Sequence, residues 1–307
     1  MSEMPSTRFL TSLVPAVLLL AMLFGVVLFV GGRLGGMGGV LLGILAGACI
    51  VLGVLLGYWN LVDWTNLRTI RRTAGSTPAA WADGSVIAAE GLVRVDGEPL
   101  VAPFSRTPCA AYTYVLSHDR QSSTRGGRRR QLLAQGYHLA RTRLECAGGS
   151  VRLCAFPGFS DALREAGTGG DRGEEALRFL ETLAGTAPRA NEGQVLSGLL
   201  DARRGFVEEV RRDFVTGARA ASAAGLTAVE EVLPVDRPVC VIGTWKRALG
   251  GLGARRGRIG PNLIVYPGTA SEVIERVGKE LRGFARAAIV LVATGVAIVG
   301  YALLRGT

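Results

Sequence analysis

The sequence predicts an α+β protein in which three transmembrane helices, an N-terminal hairpin plus one at the C-terminus, flank a β-rich soluble domain. Three observations predict it. No charged residue stands between Arg8 and Arg33, between Arg33 and Asp63, or between Arg286 and Arg305. Each run is near or above the roughly 18–20 residues a helix needs to cross a bilayer core. Between these ends the apolar period shifts to two, the signature of half-buried strands. Finally, Arg68, Arg71 and Arg72 follow the second run, and Arg276, Lys279, Arg282 and Arg286 precede the third, while the opposite side offers only Arg33 and Arg305. That bias in short flanking stretches places the middle domain on the cytoplasmic side of the membrane.

These boundaries divide the chain into a hairpin over 1–62, a juxtamembrane linker over 63–83, a β-rich domain over 84–282 and a C-terminal helix over 283–307. The first run is longer than a signal-peptide core and lacks a small-x-small cleavage site, so we expect it to be retained. Gly35, Gly39, Gly43 and Gly47 recur every four residues, a spacing that lets a second helix approach closely; the alternative for some of them is a place in the turn after Arg33. Tyr58, Trp59 and Trp64 suit an interfacial aromatic belt. The spans carry no ionisable residue, which argues against transport or proton relay.

Within the domain, Val86–Val95 reads as a strand, Asp96-Gly97 as a hairpin turn and Pro99–Ala102 as the answering strand. Cys109–Leu116 alternates, with Tyr112 and Tyr114 on one face. Gln131–Cys146 and Val151–Phe156 read as a further pair. Leu177, Leu180 and Leu183 give a helix over 174–184 its apolar stripe. Strands are expected at Leu226–Leu233, Val239–Trp245 and Leu263–Tyr266, and Ser271 as the cap of a helix running into the third span.

Net charge is +10, nearly all of it in the middle segment. The tract Arg125, Arg128, Arg129 and Arg130 could contact anionic lipid; a hydrated hairpin tip is the commoner role of such a run, and nucleic acid is not expected without interleaved aromatics. Cysteines at 49, 109, 146, 154 and 240 form no CxxC pair and suit a reducing compartment, although Cys146 and Cys154 could face each other across a hairpin. Cys109 could pair with His118 or His138 as nucleophile and base, but no third orienting group is evident. No cofactor or metal is expected: zinc would lack ligands at recognised spacing, and the glycines from 243 to 260 lack a Gly-Lys-Ser/Thr step. Adjacent carboxylates at Glu174-Glu175, Glu208-Glu209 and Glu230-Glu231 read as solvent-side charges. High Gly, Ala and Arg usage suggests a bacterial source, hence an inner-membrane location.

Pro99-Leu100-Val101-Ala102-Pro103-Phe104-Ser105, then Thr107-Pro108-Cys109-Ala110-Ala111-Tyr112, resembles the opening of the GIDE domain. Glu230–Pro234, Val239–Gly243 and Leu263–Tyr266, followed by a helix entering a span, resemble its later part. The best-known members of that family are mitochondrial and chloroplast ubiquitin ligases, in which this domain lies between two spans and is followed by a zinc-binding RING domain. These 307 residues hold no RING-type Cys/His set, so the resemblance does not carry ligase activity with it. It implies a membrane-anchored, non-catalytic module that binds an unknown protein partner or lipid. The alternative is a ligase-related subunit whose catalytic part is a separate chain.

Overall fold

The computed structural model describes residues 24–121, 128–159, 164–168, 171–191, 193–195, 197, 201, 206–216, 226–255 and 263–305. The chain divides into two compact units, Met1–Leu67 with Glu275–Thr307, and Arg68–Ile274.

The described residues of the first unit are helical. Helix α1 (Phe24–Leu34) ends at Gly35, whose φ of +64° is a left-handed turn conformation that glycine adopts without strain. Helix α2 (Gly36–Thr73) follows at once, and the last helix, α4, spans Ala270–Arg305. α2 and α4 are long and apolar enough to cross a membrane. The described part of the first apolar run is an apolar helix too short to cross unaided, so a third span is not shown. The glycines divide by role. A Cβ on Gly43 would sit 3.0 Å from the Val27 Cα, and one on Gly39 would sit 3.0 Å from the Leu34 Cβ. Gly35 has open space around it and serves the turn; Gly47 is buried in α2. Farther along, a Cβ on Gly53 would lie 3.0 Å from the Ala288 carbonyl, and one on Gly295 would lie 2.9 Å from that of Ala46. Helix backbones therefore approach each other at glycine, where van der Waals contact is the available attraction.

The second unit is built on a ring of five strands. β1 (Val86–Val95) pairs with β5 (Thr142–Cys146), β5 with β6 (Gly149–Leu153), β6 with β12 (Gly251–Gly253), β12 with β11 (Pro238–Lys246), and β11 with β1. Every junction is antiparallel except β6–β12. Taken in chain order, the strands run first, second, third, fifth, fourth around the ring, the connectivity of a small barrel of the OB kind. β13 (Ile264–Pro267) and β7 (Gly158–Phe159) extend the sheet from β11. Alternation turns Ile87, Ala89 and Val93 of β1 inward against Leu144, Val151, Leu153, Val241 and Leu252, all buried.

A second sheet is inserted between ring strands. Its order is β8 (Arg164–Thr168), β10 (Leu226–Pro234), β3 (Pro108–Gln121), β4 (Arg128–Leu139) and β9 (Val210–Val215), with β2 (Leu100–Val101) on β3. Helix α3 (Asp171–Thr186) covers one face, burying Ala176, Leu180 and Leu183 with Tyr114 and Leu116.

Three sequence expectations are corrected here. Residues after Asp96-Gly97 do not return along β1, because β5 and β11 already occupy both of its sides; β2 pairs with β3 instead. The run Gln131–Cys146 is two strands in different sheets, divided where Ala140 donates its N–H to the Ala110 carbonyl. The cap of α4 is Thr269, not Ser271. The Glu272 carboxylate accepts the Thr269 N–H at 3.0 Å and the Thr269 hydroxyl accepts the Glu272 N–H at 3.4 Å, a capping box.

Gly43→Leu is expected to destabilise the detergent-solubilised chain by about 1–3 kcal/mol, since the side chain has nowhere to go but into Val27. Gly32→Leu, at a position with open space, serves as control. Equal thermal inactivation of the two variants would remove the packing role from Gly43.

Candidate functional site

Motif residues from the two resembling segments meet in the second sheet. β10 lies beside β3 with Val232 opposite Tyr112 and Glu230 opposite Tyr114. Glu230 is buried, at 2% exposure, and its two carboxylate oxygens accept the N–H groups of Phe104 and Ser105, each at 3.0 Å. The carboxylate thus pins the Pro103–Ser105 turn to a strand more than a hundred residues away in sequence. This corrects the reading of Glu230-Glu231 as solvent-side charges. Strand alternation sends the two side chains to opposite faces; Glu231 is half-buried and accepts the Thr113 hydroxyl at 3.3 Å.

A buried polar network lies on the same sheet. The cross-strand row Tyr114, Gly136, Asp213 runs over β3, β4 and β9. A Cβ on Gly136 would strike both the Tyr114 ring and Asp213 Oδ1. The missing side chain lets the Tyr114 hydroxyl reach across β4 and donate to Asp213 Oδ1 at 2.7 Å. His138 Nε2 meets the same oxygen at 2.8 Å, and the imidazole stacks on Tyr112 at 4.5 Å between centroids. His138 is 2% exposed, whereas Arg211, whose Nε lies 3.7 Å from Asp213 Oδ2, reaches solvent. Phe179 of α3 closes the network from above, edge-on to Tyr114 at 5.1 Å.

Electrostatics in this network favour a fixed charge state. Burial alone pushes the Asp213 carboxyl up, but the hydrogen bonds and charge of His138, the Tyr114 hydroxyl and Arg211 outweigh it and hold it below the ordinary value. Burial, then the charge on Asp213, pushes both tyrosine hydroxyls up, so each stays a neutral donor. Cys109 does not combine with a histidine as a nucleophile would require. Its thiol is pushed up to about 12 by burial and then by the charge on Glu230, and His138 is engaged by Asp213. All five cysteines are free; Cys146 stands opposite Gly149 in the β5–β6 hairpin, so Cys154 is not its cross-strand neighbour. Among the described residues no group of three His, Cys, Asp or Glu side chains gathers as a metal site needs.

The basic tract divides. Arg128, Arg129 and Arg130 belong to β4, paired with Gln121, Arg120 and Asp119, and Arg130 is exposed; Arg125 lies outside the described residues. Sequence reasoning missed β9 and with it Asp213. The available signal was the hairpin register that sets His138 against Tyr112, together with a lone acid flanked by arginines in Val-Arg-Arg-Asp-Phe-Val.

Comparison with known proteins bears on the same strands. Residues 203–300 match the GIDE family model, described as E3 ubiquitin ligase. The GIDE resemblance read from the sequence is supported by this match. The GIDE-matched segment includes β9, β10, β11 and β13 and the greater part of α4; the partner strand β3 and the Pro103–Ser105 turn precede it in sequence. Searches of curated proteins and of solved structures return no match.

Two outcomes are expected for this site. Glu230→Ala should cost about 2–3 kcal/mol, because two buried N–H groups lose a charged acceptor, while Glu230→Gln should cost less. Urea denaturation of the two variants checks this, and equal losses would argue against the carboxylate as the pin. Asp213, lowered from an ordinary 3.8, contributes stability that is present above that value and is lost as pH falls through its folded value. The melting temperature should therefore drop on acidification below about pH 4, and Asp213→Asn should flatten that acid limb.

Proposed function

We propose that this chain is a membrane-anchored GIDE-like module that binds a partner at the inner face of the membrane and performs no catalysis itself. The observation that carries the reading is the fate of the ionisable groups in the second sheet, two of whose strands, β9 and β10, fall in the GIDE-matched segment. Glu230, Asp213 and His138 are spent on pinning a turn and on one another, under α3 and the Pro103–Ser105 turn. Such groups fix a shape rather than offer a base or a nucleophile to a substrate. Two helices long enough to cross a bilayer bracket this body in sequence, which would keep it near the surface and raise its effective concentration toward anything held there. Positive flanks support a cytoplasmic placement of the domain, with the hairpin turn and C-terminus outside.

The residues proposed to meet lipid are Arg128, Arg129 and Arg130, which begin β4, and Arg125, close to them in sequence. Each such arginine near an anionic leaflet contributes about 1 kcal/mol. A second reading, a subunit of a ubiquitin-ligase-related assembly whose catalytic part is another chain, is favoured by the printed description of the matched family.

Alkaline carbonate should leave the full-length chain in the membrane pellet, and a C-terminal reporter should be active only outside the cytoplasm. Release by carbonate would end the anchored reading. In membranes carrying a photoactivatable anionic lipid, substituting Arg125, Arg128, Arg129 and Arg130 by Gln should reduce labelling of the chain; undiminished labelling would remove the lipid role. Crosslinking in intact cells should recover one consistent partner, and recovery of a ubiquitin-transfer enzyme would favour the subunit reading.

A further inference from the structure

A cavity of about 350 Å³ opens on the ring beside β1 and β5, a size suited to a small molecule. Among the described residues that line it, Glu90 and Glu145 are the charged ones, and none is Lys, Arg or His. Trp81, Leu92 and Pro238 supply apolar surface, and Ser76 and Cys146 stand at its edge. The Trp81 ring is held in place: its indole N–H donates to the Ser76 hydroxyl at 2.7 Å and it packs T-shaped with Trp245, ring centroids 5.1 Å apart.

The two carboxylates differ. Glu145 is balanced by Arg94 at 3.0 Å and Arg143 at 3.8 Å. Among the described residues Glu90 has no such guanidinium. Its Oε2 accepts the Ala270 N–H at 3.1 Å, where the N-terminus of α4 takes up part of the charge. Among the described residues its Oε1 has no hydrogen-bond partner. Two thiols register the resulting negative potential: burial and then Glu90 push Cys146 up to about 11 and Cys240 up to about 12.

We propose that this cavity binds a small organic ammonium ion, its N–H groups on Glu90 and its hydrocarbon part against Trp81 and Leu92. A buried-edge carboxylate, an oriented indole and apolar walls are the elements that recognise such cations. A bare calcium ion would need six or more oxygen ligands, which two carboxylates do not provide. An anion would meet the charge of Glu90, which no guanidinium among the described residues balances. The site also has a position from which to report occupancy. The Thr73 hydroxyl accepts the Ala88 N–H at 2.7 Å and Glu90 accepts the Ala270 N–H, so the last residue of α2 and the first of α4 are held two residues apart on β1, and Glu90 lines the cavity. This inference goes beyond the anchored-module reading, and the carbonate and reporter outcomes do not decide it.

The test uses the full chain in detergent and follows alkylation of Cys146 by iodoacetamide, read by peptide mass spectrometry. Butylammonium at millimolar concentration should slow the reaction saturably, by about fivefold or more near saturation. Butanol, the uncharged analogue, and calcium chloride should not. Glu90→Gln keeps an oxygen for the Ala270 N–H but removes the charge, and should weaken protection about tenfold. The proposal is overturned by absence of protection, by equal protection from butanol or calcium, or by protection unchanged in Glu90→Gln. Should that variant fail to fold, the comparison of butylammonium with butanol on the wild-type chain decides alone.

Discussion

The β-rich unit depends on the pairing of β1 with β11. Seven residue pairs, from Val86 opposite Thr244 to Leu92 opposite Pro238, close five strands into a ring, so that neither strand is left with an open edge. The parallel junction of β6 with β12 is much shorter, two pairs only. β11 therefore carries the closure. It is buried along nearly its whole length, and it also receives β13, whose chain leads through Thr269 into α4. The pinned turn and the His138–Asp213 network sit in a sheet whose strands enter and leave this ring.

The ring explains why the inserted sheet can be so polar inside. A sheet covered by a single helix has one thin core, and each buried polar atom must find its partner within it. The network does so by geometry. Removal of one side chain at Gly136 brings together a phenol, a carboxylate and an imidazole from three strands. Glu230 does the same for a turn, supplying two acceptors where the Phe104 and Ser105 amides point inward. Neither arrangement resembles a site open to a substrate, and both hold the sheet in one register.

Much of the architecture was legible in the residues. Val86–Val95 was read with its observed bounds, β3 followed from the alternation of Cys109–Leu116, and β10 and β11 from short apolar runs of the kind that a strand buried on both faces shows. The partners were not legible. Asp96-Gly97 does turn the chain, but local turn chemistry cannot reveal that both sides of β1 are claimed by strands far along the sequence. The break at Ala140–Arg141 was hidden because a chain crossing from one sheet to the other keeps its alternation. Asp213 escaped notice since its strand carries two exposed arginines and reads as polar. Glu230 was misread for a different reason. Its neighbour Glu231 suggested a hydrated pair, although alternation itself requires that one of two adjacent strand residues face inward.

The insertion of a whole sheet between the first and last ring strands has a consequence during synthesis. β1 emerges from the ribosome early, and the strand that completes it comes only after β2 to β10 and α3 have been made. For that interval a largely apolar strand waits with one flank unpaired, a state prone to mispairing. A nascent chain stalled before Pro238 would hold such a strand, and the quality of its handling by chaperones would set the yield of protein as much as the final stability does.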